Sequence, residues 1–413
     1  DKFNKDLYCS VLEKHPDSEE VIAGVIGVLT LHIEPMKKQP LEPSVDLVEF
    51  AVKSLEKYPD SLGVCAACFE LLEVCLRVLK LHSIIDYADL LFLSASHSVE
   101  QTVSIVRQEN SSASLILPSN PEVLLLTNVL NFLKCIVPSV PKCENCEELT
   151  RHIVDALNGY RMLKEVIVSS VQVLALMTRY DCVNTMWEMD VLTALLNYYT
   201  KYTELSFIRS VCTIITTFSF EASYADSLVN NRVPGATLEI MKKYESDIEV
   251  VHSCICTISN LLAFVSTIGS HLDEMIAVAI RVVKKACPED VVVDTMHMFR
   301  NAARNADHAS LLRDQNVVDT ILQVILKNMK NERIVVAALD ACDSNTVSME
   351  SHLQLIGNKG IDVLKEVMTT YKKTNIDVYA SALKVINNLA EFGGDGVTYS
   401  LLNQSVVDFV LEA

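Results

Sequence analysis

Glycine and proline are scarce in this sequence, with 11 of each among 413 residues. A β-sandwich or β-barrel needs a turn about every eight to twelve residues, and those turns rely on these two residue types, so the scarcity argues against an all-β fold. Aromatic residues are also few, at 6% with a single tryptophan, although 50% of the residues are apolar. A chain with this apolar content can bury a large core, and its length predicts several domains or one elongated array.

Positive charge and long hydrophobic runs are lacking too. The 35 basic side chains are outnumbered by 53 acidic ones, so the net charge is −18. Such a surface repels phosphate backbones, and we therefore expect no nucleic-acid partner. No apolar run reaches about eighteen uncharged residues, the length that a membrane-spanning helix needs, so we expect no direct insertion into a membrane.

A secretory leader is not visible, and most of the thirteen cysteines lie inside apolar helical runs. This usage is typical of a reducing compartment, where cysteine packs as a small hydrophobic residue. We therefore expect a cytoplasmic protein, with a cytoskeletal, ciliary or nuclear position as the alternative. Because the chain begins with Asp1 rather than methionine, we expect it to be a fragment, and an upstream leader or lipidation signal is left open.

Catalytic motifs are missing as well: the sequence has no phosphate loop, HExxH motif, nucleophile elbow or dinucleotide fingerprint. We therefore expect neither enzyme activity nor a cofactor. Cys143 and Cys146 have the spacing of half a zinc site. The other pair with this spacing, Cys65 and Cys68, lies in an apolar helical run, so the second half is missing and we predict no metal site.

What the sequence does contain is a repeat. Four segments share one frame, in which an aliphatic residue opens the segment, apolar residues follow at five and eight further on, and a hydrogen-bonding side chain closes it at ten. They are VVHSCICTISN (250–260), VVVDTMHMFRN (291–301), IVVAALDACDS (334–344) and VYASALKVINN (378–388). Their openers lie 41, 43 and 44 residues apart, a period that indicates a stacked array of similar units. The closing residues are Asn260, Asn301, Ser344 and Asn388.

The frame extends over nine units of the chain, and its fifth and eighth positions are apolar in all of them. This spacing predicts a helix with a buried stripe. A second amphipathic run of about twelve residues precedes the openers, and a third short segment precedes some of those runs. Each unit is therefore predicted to contain a short, a medium and a long helix. The nine openers are Val21, Val64, Leu124, Val166, Phe207, Val250, Val291, Ile334 and Val378.

One step of the repeat is too long. The openers Val64 and Leu124 are 60 residues apart, and we assign the surplus to a polar surface loop inserted at about 107–121. Neither this loop nor any other break interrupts the apolar columns. We therefore predict one solenoid over residues 1–413, with about nine repeats and a truncated tenth.

The eighth unit allows two registers. An opener at Val335 would end the unit on Asn345, but it would place Asp343 in the buried column. A buried carboxylate is costly unless it is paired. We therefore prefer the opener Ile334 and the closing residue Ser344.

Three helices in about 42 residues, with asparagine near the end of the third, resemble the armadillo repeat family. The segments NNLAEF (387–392) and GNKGIDVLKEVM (357–368) carry the resemblance best, and it covers nearly the whole chain, most clearly residues 180–395. It implies an all-α fold, a right-handed α-α superhelix of the armadillo/HEAT type, whose third helices line a concave groove. Members of the family bind extended segments of partner proteins there through their asparagine side chains.

The resemblance therefore implies a non-enzymatic scaffold that binds an extended segment of a partner protein along the groove of its C-terminal repeats. An amide side chain suits this role, because it offers the partner's backbone both a donor and an acceptor. His297, Arg300, Asn301 and Arg304 lie on one helix face, which would bind a carboxylate or phosphorylated side chain. The predicted groove residues are Asn260, His297, Arg300, Asn301, Arg304, Ser344, Lys384 and Asn388.

Alternatives remain at each step. The asparagine row could be structural, and the basic face could form salt bridges with Asp294 or Asp340. If the row binds a partner, alanine at Asn301 and Asn388 should weaken binding without lowering the melting temperature. A structural component of a cytoskeletal or ciliary assembly, or a chaperone-like cradle for a motor domain, is the alternative function.

Members of the family that carry nuclear import cargo have tryptophan four residues before the asparagine. In this chain those positions hold no aromatic residue, which disfavours an import receptor. The four residues found there are Cys256, His297, Asp340 and Lys384.

Overall fold

The computed structural model describes residues 10–11, 14–15, 17–33, 45–79, 82–109, 117–346, 348–403 and 406. Within these residues every regular element is a helix, and no strand is present. The all-α prediction is therefore confirmed. The chain divides into two compact units, residues 1–214 and 215–413.

Unit 1 is built from stacked helix layers. The long third helices of successive repeats, α1, α3, α5 and α7, contact one another in order, and the second helices α4 and α6 pack side by side next to them. The helices are α1 (Glu19–Ile33), α2 (Val45–Lys57), α3 (Leu62–Val74), α4 (Ala88–Glu109), α5 (Pro121–Ile136), α6 (Cys146–Gly159), α7 (Lys164–Met177), α8 (Val183–Glu188) and α9 (Val191–Tyr198); the unit boundary then falls inside α10 (Leu205–Ser219).

Unit 2 repeats the same layering. Its third helices α13, α15, α18 and α21 contact one another in order, and so do its second helices α12, α14, α17 and α20. The helices are α11 (Ala222–Asn230), α12 (Val233–Lys243), α13 (Ile248–Phe264), α14 (Leu272–Lys284), α15 (Glu289–Ala303), α16 (Ala309–Asp314), α17 (Val317–Lys327), α18 (Glu332–Asn345), α19 (Met349–Gly357), α20 (Gly360–Tyr371), α21 (Ile376–Phe392) and α22 (Gly394–Asn403). Each unit is thus an α-solenoid.

The apolar columns of the repeat form the core. The eighth position is no more than 7% exposed in any unit, and the fifth is buried in every unit but the last, where Leu383 is half-buried. Each buried side chain of this size stabilises the fold by about 1.5–3 kcal/mol. The opener Leu124 is wrong, because it is 52% exposed and its neighbour Val123 takes the buried place. The reason is that α5 begins one residue earlier than the frame requires.

The residue three before the opener caps the third helix in five repeats. In each, a side-chain oxygen accepts the backbone N–H of the opener, at 3.0–3.4 Å. The first N–H groups of a helix have no partner within it, so such a side chain stabilises its start. The capping residues are Ser18, Ser61, Asp247, Asn331 and Asn375.

A left-handed residue joins the first and second helices in four repeats. Asp190, Arg232, Asn316 and Lys359 have φ between 54° and 61°, and each directly precedes a second helix. Gly360 follows Lys359, and a Cβ atom there would lie 2.5 Å from Leu355 Cγ and 2.8 Å from Leu355 O. Only glycine therefore fits this close approach without displacing α19.

The long step in unit 1 contains more helix than we predicted. A π-helical turn (Cys75–Leu79) and a 3-10 helix (His82–Tyr87) lead into α4, which has 22 residues. Of the predicted loop, residues 107–109 belong to α4, 117–120 form the approach to α5, and 110–116 lie outside the described residues. An extended second helix thus accounts for part of the surplus.

The predicted short first helix does not appear in every repeat. Between α13 and α14, residues 265–271 form no helix. No first helix forms here because the segment between α13 and α14 has only seven residues, and these are used for the turn between the two helices.

One stretch among the described residues, Pro121–Ser139, is long and apolar enough to cross a membrane, with a mean hydropathy of 1.3. It comprises α5 and the 3-10 turn that follows it. Of this stretch 56% is buried, and α5 packs between α3 and α7. A core helix of a solenoid meets the same criteria of length and composition, and its packing here is that of a core helix.

Candidate partner-binding surface

The predicted groove residues lie on the third helices of unit 2. Because α13, α15, α18 and α21 stand side by side, residues at the same frame position form a row across them. Asn260 lies on α13, Ser344 on α18 and Asn388 on α21. Asn301 lies on α15, and Arg304 follows its last residue.

The amide groups of this row join each helix to the preceding third helix. Asn301 Nδ2 donates to Ser259 O at 2.9 Å, and Asn388 Nδ2 donates to Asp343 O at 3.3 Å. Asn260 Nδ2 donates to Ser219 Oγ at 3.0 Å. Backbone oxygens can only accept, so the NH2 groups of Asn301 and Asn388 must face the neighbouring helix and their oxygens face away.

In α18 the residue that plays this part is Asn345 rather than the predicted Ser344. Asn345 Nδ2 donates to Phe299 O at 3.2 Å and to Ala341 O at 2.8 Å. The amide sits on the last residue of α18, one position beyond the frame. The preferred register is nevertheless correct for the core, and Asp343 stays out of the buried column as the frame required.

The structural alternative for the asparagine row is therefore observed, since the amide donors are used inside the protein. The amide oxygens of Asn301 and Asn345, in contrast, are not used in this way. Asn301 and Asn345 are 7% and 6% exposed, and the Oδ1 atom of each is buried with no donor among the described residues. A buried acceptor without a donor costs about 1–3 kcal/mol. A partner's donor would remove that cost after the side chains that cover the oxygen move aside.

Two of the predicted groove cations, Arg300 and Lys384, form salt bridges. Arg300 Nη1 lies 3.8 Å from Asp340 Oδ2, and Lys384 Nζ lies 2.8 Å from Asp343 Oδ2. The hydrogen bond that Lys384 donates to Asp343 and the charge of this carboxylate raise the pKa of Lys384. All of these side chains are partly exposed, so each pair contributes no more than about 1 kcal/mol. For Arg300 the salt-bridge alternative is what the structure shows.

Arg304 differs from its neighbours. It is exposed, and no carboxylate among the described residues forms a salt bridge with it. It lines a cavity of about 380 Å³ together with Asn301, His308 and Phe264, whose ring is 47% exposed. Among the described residues, Asn301, with its unsatisfied oxygen, and the unpaired guanidinium group of Arg304 therefore line the same depression.

A cluster that sequence reasoning missed lies on α13 and α15. His252 Nε2 lies 2.7 Å from Asp294 Oδ2, and Cys256 Sγ donates to the same oxygen at 3.3 Å. His297 Nδ1 lies 3.6 Å from Asp294 Oδ1. The repeat contained a signal, because Cys256 and His297 occupy the same frame position in successive units.

Hydrogen bonds, burial and charge shift the pKa values of Asp294 and Cys256 in this cluster. Burial opposes ionisation of Asp294, but the hydrogen bonds from His252, His297 and Cys256 outweigh burial and hold the pKa of this carboxyl well below its usual range. Burial and the charge of Asp294 both raise the pKa of the Cys256 thiol. The cluster therefore holds an ionised carboxylate and a protonated thiol.

The Cys143–Cys146 pair gains a neighbour in the structure. The thiol of Cys182 lies near both cysteines, and burial raises the pKa of Cys182 to about 12. Burial also raises the pKa of Cys143 to about 11. Among the described residues, however, the one set of three candidate ligand atoms within 4.8 Å of one another is that of His252, Cys256 and Asp294.

No family model and no curated protein sequence matches this chain. Solved structures do match. One concerns a phosphorylation switch that controls the interaction between cadherin and β-catenin (TM-score 0.68, 13% identity, 94% of this chain and 69% of that chain). An engineered protein matches with a TM-score of 0.62 at 12% identity over 91% of this chain and 97% of that chain.

A designed armadillo repeat protein in complex with the peptide (KR)4 also matches, at a TM-score of 0.48 and 13% identity over 57% of this chain and 97% of that chain. All of these identities are low, so the likeness concerns the fold. The helix layers, the repeat period of about 42 residues and the likeness to the β-catenin structure agree: the chain has an armadillo-repeat-like α-solenoid fold.

Proposed function

We propose that this protein is a non-enzymatic interaction scaffold that binds an extended segment of a partner protein along α13, α15, α18 and α21. The fold supports a protein partner, since the β-catenin structure that it resembles concerns an interaction with the protein cadherin. Cytoplasmic location belongs to the same proposal and rests on the cysteine usage alone.

One observation carries the proposal. Asn301 is fixed by its bond to Ser259 O, its oxygen has no donor among the described residues, and it lines the cavity beside Arg304. An extended backbone has an N–H group free to donate at each residue. A partner segment lying over this depression would place an acidic side chain against Arg304. Its backbone would donate to Asn301 Oδ1 once the side chains that cover this buried oxygen move aside.

Arginine suits that second contact, because its planar guanidinium group binds a carboxylate or phosphate with two parallel hydrogen bonds. The protein as a whole carries a charge of −18, so a partner's acidic group has few favourable places to bind. Selection of an acidic side chain at one depression therefore provides specificity.

The test is a selection of random displayed peptides on the full chain. We expect enriched peptides to contain an acidic residue and to bind the Arg304→Glu variant at least about 10-fold more weakly, since charge-assisted hydrogen bonds contribute about 1.5–3 kcal/mol. Lys330→Glu is the matched control, because Lys330 is exposed on a loop of the same unit and the charge change is identical. Peptides that bind Arg304→Glu and the unaltered chain equally would overturn the proposal.

A further inference from the structure

Four side chains of metal-binding type meet on the surface of α13 and α15. His252 and Cys256 are four residues apart on α13, and Asp294 and His297 are three residues apart on α15. Both spacings place the two side chains of a pair on one helix face. The repeat step then brings the two faces together, so that ligand atoms of His252, Cys256 and Asp294 all lie within 4.8 Å of one another.

The distances fit a shared ion. In a tetrahedral zinc site with metal–ligand bonds of about 2.0–2.3 Å, neighbouring ligand atoms are about 3.4 Å apart. Here His252 Nε2 and Asp294 Oδ2 are 2.7 Å apart, and Cys256 Sγ and Asp294 Oδ2 are 3.3 Å apart. Small side-chain rotations of three partly exposed residues would open the space that an ion needs.

We propose that His252 Nε2, Cys256 Sγ and Asp294 Oδ2 bind a zinc-class transition-metal ion between α13 and α15. His297 is a positioning residue, since its ring lies against the other oxygen of Asp294 and holds the carboxylate in place. Three protein ligands leave one tetrahedral position for solvent or for a ligand from a partner. This inference does not rest on the proposed function.

The ligand chemistry selects the class of ion. Calcium and magnesium prefer oxygen ligands alone, whereas thiolate and imidazole suit zinc and its transition-metal neighbours. Without an ion, the Cys256 thiol keeps its proton and donates a hydrogen bond to Asp294. On binding, the thiol releases that proton to solvent, and the hydrogen on His252 Nε2 moves by exchange with solvent to Nδ1, which frees the Nε2 lone pair. Sulfur–metal, nitrogen–metal and oxygen–metal bonds then replace the two hydrogen bonds to Asp294 Oδ2. With Asp294 and the thiolate as ligands, a divalent ion is neutralised.

The site is accessible to an ion from solution. The side chains of His252 and Asp294 are 30% and 31% exposed, and Cys256 is half-buried. Substitutions here therefore alter a surface cluster rather than the apolar core, and the variants are expected to fold.

The test is a cobalt titration of the full chain after chelation and dialysis. Co²⁺ takes the place of Zn²⁺ in such sites and reports its ligands through visible d–d bands and a thiolate-to-cobalt charge-transfer band. The protein carries Cys146→Ser, which removes the cysteine that Cys143 and Cys182 share as a neighbour, so that this group no longer offers three thiols to compete for the ion. We expect one Co²⁺ per chain with both signals, and displacement by Zn²⁺.

Single-residue variants identify the side chains that bind the ion. Cys256→Ser should abolish the charge-transfer band, and both Cys256→Ser and His252→Ala should weaken affinity by more than about 100-fold, because each removes a ligand. His297→Ala should keep the band and weaken affinity only about 10-fold. Cys287→Ser, a half-buried cysteine of the same unit, is the control and should change nothing.

Two results would overturn the inference. One is the absence of cobalt or zinc binding at concentrations up to about 100 µM, which corresponds to a binding free energy weaker than about 5.5 kcal/mol. The other is a charge-transfer band that persists in the Cys256→Ser variant. In that case a different cysteine binds the ion, and the His252–Cys256–Asp294 cluster is a hydrogen-bonded network only. Circular dichroism melting curves verify that each variant is folded.

Discussion

At the scale of the residue, the capping side chains explain where the third helices begin. Asp247 is a clear case, since its Oδ1 accepts the Val250 N–H at 3.0 Å. The signal was present in the sequence as Ser, Asp or Asn three residues before the opener. The apolar columns predicted which face of each helix is buried, whereas these polar residues mark the first turn of the helix.

We predict that Asp247→Ala lowers the free energy of unfolding by about 1 kcal/mol, because the first turn of α13 loses its cap. Asp247→Asn keeps an acceptor oxygen at the same place and should lose much less. Urea unfolding of the three proteins measures the difference. Equal losses in both variants would show that the charge of Asp247, rather than its hydrogen bond, stabilises the helix.

The buried amide of Asn301 changes an expectation drawn from the sequence. Asn301 Nδ2 donates to Ser259 O across two helices, and the side chain is buried. Asn301→Ala removes this bond and leaves a cavity, and we expect these losses to exceed the relief of the unsatisfied oxygen, so that stability falls by about 1 kcal/mol and partner binding weakens. Asn387→Ala is the control, because Asn387 is exposed on α21 and should leave the melting temperature unchanged. An unchanged melting temperature in Asn301→Ala would contradict the observed bond.

At the scale of the element, turns and close contacts set how helices join. Tyr180, on the turn after α7, donates its hydroxyl hydrogen towards Val137 O and Val140 O, at 3.1 Å and 2.8 Å. It thereby holds the segment that follows α5. Burial raises the pKa of Tyr180 to about 12, although Arg179 acts to lower it.

This shift predicts a pH dependence. The folded-state pKa lies above the unfolded value of about 10, so the contribution of the Tyr180 hydroxyl is complete below pH 10 and declines as the pH rises towards 12. Tyr180→Phe should therefore be about 1 kcal/mol less stable at pH 7–9, and the difference should shrink above about pH 10. Urea unfolding at several pH values measures it. Tyr399→Phe, at an exposed position, should show no difference at any pH.

The turn into α20 carries a steric prediction. A Cβ atom at Gly360 would meet Leu355 at 2.5 Å, so Gly360→Ala should cost about 1–3 kcal/mol through forced displacement. Gly357 is the matched control, since a Cβ atom there meets nothing within 4 Å, and Gly357→Ala should be neutral or slightly stabilising. Thermal unfolding of both variants distinguishes a close contact from a general intolerance of side chains in this turn.

At the scale of the whole molecule, the 42-residue period accounts for the layered architecture of both units. Burial of the fifth and eighth positions could be predicted, because a helix of fixed pitch must turn those residues to one side. The long second helix α4 and the missing first helix before α14 could not, because short amphipathic runs differ little from loops in composition. The closing residue of α18 was missed for a similar reason, since helix ends depend on neighbouring helices.

The sequence by itself determined the helical class, the repeat and the buried columns, because apolar spacing along a helix is a local property of the chain. Only the tertiary structure decided what the polar residues do. It turned the Asn301 amide towards Ser259, paired Arg300 with Asp340 and gathered His252, Cys256 and Asp294 into one cluster. Polar side chains take the nearest partner in space, and that partner lies one repeat away, where it depends on how the helices stack.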